Sequence, residues 1–93
     1  MLFQHVLATS GLAKTELATL YGVSRQTIHT WAAGGAPREG SHTDRMAEVI
    51  TRALDGAIAK NILPLAAMSR EARTARIAKM AVTLQNLRPA PVK

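Results

Sequence analysis

The spacing of apolar residues across residues 14–34, KTELATLYGVSRQTIHTWAAG, leaves the chain few ways to fold there. Leu17, Ala18 and Tyr21 fall at i, i+1 and i+4, one face of a short helix. Gly22 follows, the residue best able to take positive φ where that helix must stop. Val23 is placed to anchor the turn, and Ser24 is a favoured N-cap for a second helix. On that second helix Ile28 and Trp31 are three apart and face back toward Leu17 and Ala18. Arg25, Gln26, Thr27, His29 and Thr30 are thereby left at or near the outer surface.

Around this segment the same reading predicts three more helices and no strand. A first helix covers Leu2 to Thr9, with Phe3, Val6 and Leu7 inward and Ser10-Gly11 closing it. The second and third run from about Lys14 to Tyr21 and from Arg25 to Ala32 or Ala33. GGAPREGS, with three Gly and one Pro in eight residues, reads as a loop. Ser41 then fits an N-cap, with Asp44 at the positive end of a fourth helix that continues to about residue 61. Its apolar stripe is Met46, Val49, Ile50, Ala53, Leu54, Ala57 and Ile58. Pro64 breaks or bends the chain, Ser69 caps a fifth helix reaching Gln85 or Asn86, and the Pro-rich tail RPAPVK frays. The expected fold is therefore all-α, a compact bundle of about five helices with an extended C-terminal one. Residues 1–62 hold the two-helix unit, and residues 63–93 form an added helix and tail.

Composition narrows the function classes. Ninety-three residues make one domain with a modest core, too small for a large enclosed substrate site. No apolar run approaches the roughly 18 residues of a membrane helix, and the N-terminus lacks the basic start of a signal peptide. With no cysteine there are no disulfides or thiolate metal sites, which is compatible with a cytoplasmic location. The net charge of +6 is uneven. Arg70, Arg73, Arg76, Lys79, Arg88 and Lys93 stand against Glu71 alone in the last quarter, while the acids and bases of 41–68 cancel. A basic chain of this size suits a polyanion.

The exposed positions of the third helix have side chains suited to base edges. Gln26 can pair bidentately with adenine, Arg25 can reach guanine or a phosphate, and Thr27 offers thymine a methyl group. Thr30 lies further round and suits a phosphate. His29 has no Cys nearby and no i,i+4 carboxylate or His partner, so a nucleic-acid contact suits it better than metal ligation. Ser24 caps its helix, and its hydroxyl and the amides behind it can meet a phosphate. No serine has recognisable His and acidic support, no carboxylates pair, and GGAPREG lacks the order of a phosphate-binding loop. The chain is therefore expected to be no enzyme and to need no metal or cofactor.

In Lys14, Leu17, Ala18, Tyr21, Gly22, Val23, Ser24, Ile28 and Trp31 the chain resembles the phage repressor and Cro-type helix-turn-helix family, the lambda-repressor-like DNA-binding domains. The motif covers 21 residues, and the helix order extends the likeness to roughly residues 1–60. The resemblance implies a bundle of four or five helices whose second and third bind double-stranded DNA, in two-fold dimers on short palindromic operators. It implies a sequence-specific transcriptional regulator, a Cro-like repressor of phage or prophage type, nucleoid-associated or in a host cytoplasm. Base contacts would fall to Arg25, Gln26, Thr27 and His29, and phosphate contacts to Lys14, Ser24, Thr30 and Arg38. Two departures stand out. Tyr21 replaces the usual aliphatic residue, so its hydroxyl must find solvent or a partner, and the loop after the third helix is rich in glycine.

A single reading helix meets few base pairs, so pairing of two copies is expected. The stripe Ile77, Met80, Ala81, Leu84 and Leu87 on the fifth helix is the dimerisation candidate, in addition to closing the core. Other readings are an antitoxin with a protein partner on the fifth helix, a recombination or packaging accessory factor, and a protein-interaction adaptor without DNA affinity.

Overall fold

The computed structural model describes residues 2–60 and 69–88. Five α-helices occur in this part of the chain: α1 (Leu2–Thr9), α2 (Lys14–Tyr21), α3 (Arg25–Ala32), α4 (His42–Ala59) and α5 (Arg70–Gln85). The all-α bundle agrees with the sequence reading, and the first three helices begin and end where the spacing and Gly22 require. The bend expected at Pro64, the division of the chain near residue 62 and the tail beyond Arg88 lie outside the described residues.

The helix starts are chemically simple. Ser24, Ser41 and Ser69 each have extended backbone, and each hydroxyl accepts the N–H three residues on, from Thr27, Asp44 and Ala72. Such a cap satisfies one of the amides that a helix leaves unpaired at its start. α2 begins after Ala13, which has no side-chain oxygen; instead the Glu16 carboxylate accepts the Ala13 N–H at 2.8 Å. Gly22 ends α2 with φ of 68°, and the Val23 N–H reaches back to the Ala18 carbonyl at 3.1 Å.

α2 sits at the centre, touching α3, α4 and α5, while α1 lies on α4. Leu17, Leu20, Ile28, Ile50, Leu54 and Val6 are the largest fully buried apolar side chains and come from four helices. Each contributes roughly 1.5–3 kcal/mol by leaving water. The chain's one Phe, one Tyr and one Trp form a single cluster at their junction. Phe3, Tyr21 and Trp31 meet edge to face, with centroids 5.7–5.8 Å apart. Tyr21 is buried, and its hydroxyl finds its partner within the chain, Thr51 on α4 at 2.6 Å. Gln4 on α1 donates to the Trp31 carbonyl at 2.7 Å, which ties α1 to the end of α3.

α5 runs parallel to α2. Near their starts the Arg73 guanidinium grips Glu16 at 2.5 and 2.8 Å and the Gly11 carbonyl at 2.8 Å. Near their ends Gln85 donates to the Thr19 carbonyl at 2.8 Å. Between these fastenings Ile77, Ala81 and Leu84 are buried in the common core, with Met80 and Leu87 partly buried against it. Closing the monomer core, one of the two roles read for this stripe, thus falls to Ile77, Ala81 and Leu84.

Candidate nucleic-acid interface

α3 is eight residues long and divides cleanly into two sides. Ile28 and Trp31 are buried, turned onto α2 and the aromatic cluster. Arg25, Gln26, His29 and Thr30 are exposed, and Thr27 is half-buried at the margin. The division follows from sequence: two large apolar groups three apart can enter the core only if the residues between them point outward. The three-residue turn 22–24 holds α3 against α2, with Gly22 supplying left-handed backbone and Ser24 opening the new helix.

Each expected contact residue can now be placed. Arg25 and Gln26 project from the first turn of α3 and make no side-chain hydrogen bond among the described residues, so their donors and acceptors face solvent. Ser24 and Thr27 share a hydroxyl–hydroxyl bond of 2.8 Å while Ser24 also accepts the Thr27 N–H. One of the two hydroxyl protons is consumed between them, and one remains for an outside acceptor. The Thr30 hydroxyl donates to the Gln26 carbonyl at 3.0 Å, so a phosphate contact from it requires that bond to open. Arg38 lies apart, exposed in the loop between α3 and α4.

Lys14 and His29 are brought together. The Lys14 ammonium on the first turn of α2 lies 3.1 Å from His29 Nδ1 on the outer side of α3. The pair makes one polar surface from the start of α2 and the exposed side of α3. Fifteen residues separate the two in sequence, and only the return of α3 across α2 closes the distance.

Sequence reading missed the Arg73–Glu16 clasp. Arg73 stands among the basic residues expected to meet a polyanion, but its guanidinium is turned inward. The Glu16 side chain is 19% exposed, and the hydrogen bonds from Arg73 hold its carboxyl below the usual value of 4.5. The exposed cations of α5 are Arg70, Arg76 and Lys79, with Arg88 just beyond its end. Among the described residues no three His, Asp or Glu side chains gather to hold a metal. No described helix is long and apolar enough to cross a membrane.

No family model matches the chain, and no curated protein or solved structure matches it either.

Proposed function

We propose that this chain is a sequence-specific DNA-binding regulator that lays α3 in the major groove and acts by occupying its site. One observation carries the reading: over a buried Ile28 and Trp31, α3 exposes Arg25, Gln26, His29 and Thr30 on one short, firmly seated helix. These side chains have the hydrogen-bonding groups that distinguish base pairs in that groove. Lys14 and the remaining hydroxyl proton of the Ser24–Thr27 pair suit the flanking phosphates. The net charge of +6 adds a favourable encounter with a polyanion.

A palindromic site read by two copies belongs to the same proposal, because a lone eight-residue helix spans few base pairs. The two α3 helices would then lie about 34 Å apart on one side of the duplex. On α5 the exposed Val82 and the half-buried Met80, with Leu87 just beyond its end, offer apolar surface that pairing can use.

Enrichment of duplexes from a random pool, together with gel shifts on DNA flanking the protein's own gene, tests the proposal. A common motif should emerge, and Gln26→Ala should weaken binding to it by about 5- to 150-fold, equivalent to roughly 1–3 kcal/mol. Retention of no duplex above background, or binding indifferent to Gln26→Ala and Thr27→Ala, defeats it.

A further inference from the structure

The 3.1 Å approach of Lys14 Nζ to His29 Nδ1 has a chemical consequence for what His29 can recognise. A lysine ammonium is a donor with no lone pair, whereas a neutral imidazole has one donor nitrogen and one acceptor nitrogen. Facing Lys14, Nδ1 must be the acceptor, and the ring proton then sits on Nε2. The neutral form with its proton on Nδ1 would set two donors against each other at this distance. The doubly protonated ring also carries a proton on Nε2. In every form compatible with Lys14, Nε2 is therefore a donor.

We infer that Lys14 selects the tautomer of His29 and so makes it a reader of hydrogen-bond acceptors, with guanine as its preferred base. The inference rests on the proposed insertion of α3 in the major groove. There guanine presents two adjacent acceptors, adenine and thymine one each, and cytosine only a donor. His29 is exposed, and its Nε2 has no close hydrogen-bond partner among the described residues, so this N–H points to no competing group. Lys14 keeps two further N–H groups for a phosphate, so the positioning role and a backbone contact coexist. Gln26 on the same side can both donate and accept; His29 cannot.

Two readouts separate this inference from the DNA-binding proposal. The first is the His29 tautomer in the DNA-free protein, read from two-bond proton–nitrogen NMR correlations at a pH where the ring is neutral. The wild type should hold the Nε2–H form alone, Lys14→Met should admit the Nδ1–H form, and Lys14→Arg should restore the wild-type pattern. An Nδ1–H ring in the wild type, or the same ratio in wild type and Lys14→Met, overturns the inference whatever the protein binds. The second readout is the selected DNA motif. One position should favour guanine by about fivefold or more, the lower end of a specific base contact. Lys14→Met should lose that preference at this position alone, over and above a uniform fall in affinity from a lost phosphate contact. His29→Gln should instead admit adenine. A preference unchanged in both variants sinks the assignment. If the tautomer is fixed as described but no duplex is retained, the groove-reading proposal fails and the base preference falls with it.

Discussion

Tyr21 illustrates how one hydroxyl changes the character of a core position. Thr51 already donates to the Ala47 carbonyl at 2.6 Å, so in the pair with Tyr21 the phenol supplies the proton. Burial raises the Tyr21 phenol from 10.0 to about 12. Ionisation is thus disfavoured in the folded state relative to the unfolded chain, and the associated stability is complete below pH 10. It should drain away as pH rises from 10 toward 12. Ultraviolet difference absorbance should show tyrosinate forming near the upper limit, in step with unfolding. Tyr21→Phe should remove the alkaline response while costing only about 1 kcal/mol, because Thr51 keeps its bond to Ala47. Trp31→Ala, which empties one corner of the aromatic cluster, should cost about 3–5 kcal/mol. That is a large share of the roughly 5–15 kcal/mol a small domain has.

At the level of elements, the junction of α2 and α3 is where local backbone demands meet tertiary packing. Gly22 has left-handed φ, and a Cβ added there would stand 3.1 Å from the Gln85 side chain of α5. Gly22→Ala should therefore destabilise by about 1–2 kcal/mol from backbone conformation, with a further small cost as Gln85 moves. Ser24→Ala should cost about 1 kcal/mol through the lost cap. Urea unfolding followed by the fluorescence of Trp31 measures both, and Trp31 reports directly on the seating of α3. Gly35 has a different reason to be glycine. A Cβ there would lie 2.7 Å from the Thr30 side chain and 2.9 Å from its carbonyl, which the Gly35 N–H also meets at the end of α3. The glycine-rich loop thus lets the chain leave α3 closely without a clash.

For the whole molecule, α5 is fastened along α2 by an apolar stripe with a polar clasp at either end. The Arg73–Glu16 pair is mostly shielded, at 31% and 19% side-chain exposure, and its two-pronged geometry makes it worth more than an open surface pair. Arg73→Ala should cost about 1–2 kcal/mol. Because the Glu16 carboxyl is held below 4.5 in the fold, its contribution is complete above that pH and lost as pH falls through its lowered folded value. Thermal melts of the wild type should therefore decline on acidification below pH 4.5, and Arg73→Ala should flatten that part of the decline. Inward use of Arg73 also leaves the exposed positive charge of α5 to Arg70, Arg76 and Lys79, with Arg88 just beyond its end.

Periodicity and caps are properties of neighbours in sequence, and they alone were enough to place the helices. Leu17, Gly22, Ser24, Ile28 and Trp31 determine where α2 stops, where α3 starts and which side of α3 faces outward, because each acts within one helical turn. The outward residues of α3 were legible for the same reason. What only the tertiary structure decided are meetings across many residues: Lys14 with His29, Tyr21 with Thr51, Arg73 with Glu16 and Gly11. Periodicity marks a face as apolar without saying what covers it, and so the stripe of α5 read both as core and as a surface for a second copy. Packing within the chain shows the first of these roles for Ile77, Ala81 and Leu84.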